Sequence, residues 1–172
     1  MAFKRRYKKQ NDTESKKMGK IKHKKTEIDG IVFDSKMESE YYLHLKQLQE
    51  QGIVKSFKLQ PAFLLQEKFI VVDGQVILGS HEDFNKIKRK TKAPTIQDIK
   101  YIADFEVEYA DGHIEIVDTK GQETADFKLK KKMFIYKYPH LHLSILIKNK
   151  SNEWIPYDQY QKELRARKKN KE

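Results

Sequence analysis

Residues Tyr101–Gly121 read YIADFEVEYADGHIEIVDTKG, and this stretch decides the fold. Two runs rich in Ile, Val, Phe and Tyr flank the turn-forming pair Asp111-Gly112, so an antiparallel hairpin is expected. Asp104 opens the first run, while Asp118 and Lys120 close the second. Side chains alternate along a strand, so only some registers put these groups on one face. A two-residue loop at Asp111-Gly112 pairs Asp104 with Thr119 and sends Asp118 to the other face. A three-residue loop, Asp111 to His113, or a bulge pairs Asp104 with Lys120 and places Asp118 diagonally across from Asp104. An odd-length loop or a bulge is therefore predicted.

Downstream of this hairpin, Ala125–Tyr138 has Phe127, Phe134 and Tyr138 on one side and Lys128, Lys131 and Lys132 on another, with Pro139 as its stop. The segment Leu141–Ile147 (LHLSILI) is short and nearly all apolar, as a strand covered on both faces is. A strand, a helix and a strand joined so closely make a βαβ crossover, so the strands 114–120 and 141–147 are expected to be parallel and the connection right-handed. Trp154–Arg167 reads as a terminal helix.

Upstream, Ser35–Gln51 carries Met37, Tyr41, Leu45 and Leu48, a spacing of four, four and three that makes one helical stripe, with Gly52 in the C-cap place. Phe57–Gln66 reads as a strand interrupted by Pro61, which suits an edge or a bulge. Phe69–Leu78 (FIVVDGQVIL) is a second hairpin signal. Gly79–Thr95 is polar and reads as a loop or short-helix excursion. The order α, β, β, β, α, β gives an α/β sandwich, a mixed sheet with helices on both faces.

Charge divides the chain. Residues 1–25 carry 11 Lys/Arg against 2 acids, 162–172 carry 6 against 2, and 26–161 hold 19 against 21. This gives a basic N-terminal arm, a folded domain at 26–161 and a basic C-terminal tail. The arms suit the phosphate backbone of nucleic acid, with salt-dependent, sequence-independent affinity. Lys4, Arg5, Arg6, Lys8 and Lys9 in the arm, Lys88, Arg89 and Lys90 in the polar excursion, and Lys128, Lys131 and Lys132 are the candidate DNA contacts. With no cysteine, there is no disulfide, thiolate metal site or Cys nucleophile, and any metal is held by oxygen. No apolar run nears the roughly 18 residues that span a bilayer, and no signal peptide is read, so a cytoplasmic protein is expected.

Mg²⁺ prefers octahedral oxygen coordination and keeps several waters, so two or three carboxylates, a backbone carbonyl and a substrate phosphate suffice to hold it. Asp104 and Asp118, with the carbonyl of Thr119, form such a set. Lys120 beside them is placed to orient or deprotonate an attacking water, or to stabilise a pentacovalent phosphate.

These residues resemble the PD-(D/E)XK nuclease superfamily, with Ala103-Asp104 in place of the usual Pro-Asp and Asp118-Thr119-Lys120 as the (D/E)XK element. The resemblance covers roughly residues 33–148 and implies a restriction-endonuclease-like core. It also implies a further acid on the first helix, which SKMESEYYLHL supplies as Glu38. Ser35-x-x-Glu38 is equally a capping box that needs no metal. Glu40 is rotated by about 200° from Glu38 and cannot share its site. Gln60 in LQPAF sits where several relatives carry a polar residue near the site.

Within the superfamily, S-x-x-E, Y-x-x-D-F, V-D-T-K-G and the Lys-rich helix are most similar to phage-encoded Holliday-junction resolvases of the endonuclease I type, with residues 67–100 as an insertion. The resemblance implies a homodimer that uses Mg²⁺ or Mn²⁺ to cut four-way or other branched DNA in phage or prophage recombination. A nicking endonuclease of the transposon-end type, acting in a complex, shares the same motifs. A non-catalytic nucleic-acid-binding module is the rival of a different class.

Overall fold

The computed structural model describes residues 25–169. Its elements run β1 (Thr26–Ile28), β2 (Ile31–Phe33), α1 (Lys36–Glu50), β3 (Val54–Leu59), β4 (Ala62–Gln66), β5 (Phe69–Val72) and β6 (Gln75–Leu78). They continue with α2 (His81–Thr91), β7 (Thr95–Ile96), β8 (Ile99–Ile102), β9 (Phe105–Tyr109), β10 (Ile114–Thr119), α3 (Ala125–Lys137), β11 (His142–Lys148), β12 (Trp154–Pro156) and α4 (Tyr157–Lys169).

The central sheet has the order β12-β11-β10-β9-β3. It is mixed, because β10 and β11 run parallel while β9, β3 and β12 pair antiparallel with their neighbours. Alternation along β10 splits the core in two. Ile116 packs with Phe127 and Phe134 of α3 and Tyr157 of α4, while Val117 packs with Phe105, Val107 and the α1 residues Tyr41, Tyr42 and Leu45. Helices therefore cover both faces, and the molecule is the mixed α/β fold that the pattern of elements predicts. The parallel β10–α3–β11 unit is the expected crossover, and β3 and β12 are the two edge strands.

The α1 helix starts where its cap stands: the Ser35 hydroxyl accepts the Glu38 N–H at 3.1 Å. Gly52 follows its end at φ 72°, a conformation that costs glycine little. Of its stripe, Tyr41 and Leu45 are buried and Met37 and Leu48 border the two cores.

The hairpin loop is three residues long, as an odd-length loop requires, but it is Ala110–Gly112. Tyr109 and His113 close it, with the Tyr109 N–H donating to the His113 carbonyl. Extending the register Glu108↔Ile114 through Phe105↔Val117 sets Asp104 level with Asp118 rather than with Lys120. The shift has a local cause: the His113 ring stacks on Tyr109 at 4.1 Å, and Asp111 accepts the His113 N–H.

Two further expectations are corrected, and of the two readings offered for residues 79–95 the helical one holds. Trp154–Pro156 is a strand on the outer side of β11 and not the start of a helix, because the free edge of β11 offers it ladder hydrogen bonds. Residues 162–169 continue α4, whose buried Tyr157 and half-buried Tyr160 tie it to the core, so they are not a trailing tail. The polar stretch after β6 holds an eleven-residue helix, α2, with a full Ser80–Asp83 capping box. It lies over the small sheet β6-β5-β7 with Phe84 and Ile70 buried.

Pro61 interrupts a ribbon without changing its register. Leu59↔Phe105 and Ala62↔Ile102 belong to one ladder, and between them the Gln60 N–H donates to the Asp104 carbonyl and the Ala103 N–H to the Pro61 carbonyl. Gln60 takes φ 49° there. Asp104 sits at that bend.

Candidate functional site

Four elements bring the site together: the N-terminus of α1, the β8–β9 bend, the end of β10 and the N-terminus of α3. Glu38, Tyr101, Asp118, Thr119, Lys120 and Lys130 are among the residues lining a cleft of about 810 Å³. Glu38 and Asp104 also line an adjoining cavity of about 120 Å³, together with Gln60.

Asp118 is the centre. It is 1% exposed; its Oδ2 accepts from the Tyr101 hydroxyl at 2.8 Å, and its Oδ1 stands 2.7 Å from Lys120 Nζ. Among the described residues that ammonium is the only polar partner Oδ1 has. Burial and the nearby Asp104 carboxylate push the Asp118 pKa up to about 6, against the pull of Lys120 and Tyr101.

Asp104 turns its Oδ2 to the Thr119 N–H at 2.6 Å and the Thr119 hydroxyl at 2.8 Å. Burial raises its pKa, and Lys120 and the two Thr119 bonds only partly offset this. Burial also raises Glu38, with Asp104 next, while Ser35 and Lys120 act the other way. For Lys120, burial alone favours the neutral amine, but Asp118, Asp104 and Glu38 outweigh it and hold the ammonium form above the ordinary lysine range. Its Nζ also lies 5.1 Å over the Phe127 ring.

Glu38, Asp104, Asp118, Thr119 and Lys120 are therefore one electrostatic unit, with Gln60 beside Glu38 and Asp104. Glu40 points elsewhere, to Lys148 at 3.0 Å and Lys36 at 3.2 Å. Among the described residues no three His, Asp or Glu side chains cluster as a ready-made metal cage; Asp104 is engaged by Thr119, and Asp118 by Tyr101 and Lys120. The residues nonetheless fit a hard divalent cation in kind. All donors are oxygens, each of the three carboxylates resists ionisation, and Asp118 Oδ1 has Lys120 as its one polar neighbour. A divalent charge reverses that penalty.

The other candidates are more scattered. Lys4, Arg5, Arg6, Lys8 and Lys9 lie outside the described residues. Lys88, Arg89 and Lys90 are exposed at the end of α2, on the excursion and away from the cleft lining. Lys128 and Lys132 are exposed on α3, but Lys131 is turned to Glu123 at 3.1 Å. The α3 lysine on the cleft is Lys130, joined there by Lys100 and Lys36. Sequence spacing missed these three and the role of Tyr101. Period-two alternation from Asp104 back along β8 does not reach Tyr101, because the bend at Ala103 resets the faces.

Fold and site together define a mixed α/β protein with a buried acidic and lysine-bearing cleft at one end of its central sheet. The chain belongs to the family described as "Protein of unknown function (DUF1064)", which matches residues 18–153 and so spans every element of that cleft. No curated protein and no solved structure matches it.

Proposed function

We propose that the chain is a metal-dependent, structure-selective DNA endonuclease of the PD-(D/E)XK type, hydrolysing phosphodiester bonds at four-way or other branched junctions. The observation that carries this is Asp118: a carboxylate buried at the end of a central strand, with its pKa raised and an ammonium group 2.7 Å from one oxygen. Perturbed acids and a charged lysine in one cleft mark functional sites more often than structural ones.

Glu38, Asp104 and Asp118, with the Thr119 carbonyl, are the residues that would hold Mg²⁺ or Mn²⁺. When bound, the ion supplies a more acidic water and positive charge near the phosphate. Lys120 keeps its proton, which supports orienting the water or stabilising charge on the phosphate over acting as a base. Lys130, Lys100 and Lys36 on the cleft wall suit the phosphates on either side. A homodimer acting on phage or prophage recombination intermediates in the bacterial cytoplasm completes the reading.

The test is a nicking assay on branched and linear duplex DNA, with and without Mg²⁺, using wild type beside Asp118→Asn. Metal-dependent nicking that favours the branched substrate and falls at least about 100-fold in the variant is expected. Wild type that binds junctions but nicks nothing with Mg²⁺ or Mn²⁺ would return the chain to the class of binding modules.

A further inference from the structure

Helix α3 is apolar on two sides. Phe127 and Phe134 face the core, whereas Leu129, Ile135 and Tyr136 are 58%, 52% and 89% exposed. At 3.6 residues per turn, Lys128, Leu129, Lys132, Ile135 and Tyr136 fall on one outer stripe opposite those phenylalanines. Single exposed apolar residues need no explanation; a contiguous stripe of them does.

We propose that this outer face of α3 is a stacking surface for unpaired nucleotides of the branched substrate. The inference rests on the reading of the chain as a protein that works on branched DNA, and it adds which part of that DNA the protein reads. Charge selects the occupant. Lys128 and Lys132 form no ion pair among the described residues, so they offer uncompensated positive charge to phosphates. A second copy meeting this face about a two-fold axis would set lysines against lysines.

Chemistry agrees with charge. The Tyr136 ring has no aromatic partner among the described residues, and a free aromatic ring one turn from a lysine, here Lys132, is the combination that binds unpaired bases without regard to sequence. The stripe is a surface separate from the cleft: Lys130, which borders the cleft, stands about 120° around the helix and about 9 Å along it from Tyr136.

The experiment measures equilibrium binding of the full chain in EDTA, where no metal-dependent cutting occurs. The probes are a splayed junction carrying unpaired thymidines and a fully paired linear duplex of the same length. Tyr136→Ala is expected to weaken the splayed junction about tenfold and the duplex less than about twofold, with Tyr136→Phe close to wild type. Lys128→Glu with Lys132→Glu should weaken both, more at low salt. An unchanged preference in Tyr136→Ala would overturn the stacking surface. So would a wild-type dimer that Tyr136→Ala turns into a monomer in sedimentation, which would give the face to a second copy. Wild type that prefers the splayed probe but nicks nothing would sink the endonuclease while leaving this surface standing.

Discussion

The hairpin β9–β10 carries acids at both ends, and the two ends treat them oppositely. Near the turn, Asp111 is exposed and its pKa is lowered by bonds from His113, while Glu108 and its exposed partner Lys55 stand 2.6 Å apart across the strands. At the far end Asp104 and Asp118 are held away from water with their pKa values raised. One ribbon thus holds carboxylates that stabilise by being ionised and carboxylates that cost stability for the same reason. The second kind, retained beside one lysine, is what a site looks like when its charge is meant for something else.

The sharpest way to break this contrast is to remove the counter-charge. Lys120→Met leaves Asp118 and Asp104 facing each other in a buried place, and denaturant titration at pH 8 should show a loss of about 3 kcal/mol. The loss should shrink toward pH 5, where Asp118 takes up its proton. A loss independent of pH would mean that Lys120 contributes packing and not charge.

The next effect follows from proton linkage. The folded chain holds the Asp118 proton up to about pH 6, and the unfolded chain releases it near 4. This group's contribution is therefore fully present below about pH 4 and is lost as pH rises through 6. The loss amounts to roughly 3 kcal/mol from a shift of about two pKa units. Asp118→Asn should flatten that decline and be the more stable form at pH 7 even as nicking disappears. Retention of the full slope in the variant would move the titration to another group.

The smallest effect belongs to the outer run of the ribbon. Lys58, with a side chain 74% exposed, faces Glu106 at 2.6 Å, and such a pair is screened by water. Lys58→Ala should leave the denaturation midpoint unchanged at any salt concentration. A salt-dependent loss there would show that the two regions are electrostatically less distinct than their burial implies.

What could be read from the chain was whatever local periodicity or connection length determines. The four-four-three stripe and Ser35 located α1, and the short link from β10 through α3 required β11 to be parallel. Asp104, Asp118 and Lys120 were legible because they end neighbouring strands. Tyr101 and Lys130 were not, since their approach to the cleft depends on β8 pairing with β4 and on which flank of α3 meets the sheet. The loop was displaced by one residue because Gly112 takes the left-handed place at its end, at φ 87°, which leaves His113 to pair with and stack on Tyr109. The strand Trp154–Pro156 has three residues and no period of its own; only the open edge of β11 makes it a strand.

The bend at Gln60-Pro61 has a mechanical meaning. Because the pairing keeps its register through the kink, the excursion is joined to the cleft by the paired strands β4 and β8, with one bulge between Leu64 and Gln66, and not by a slack tether. Ala103 is the rivet, its amide clasping Pro61 across the bend, and a proline in its place would have no hydrogen with which to fasten it.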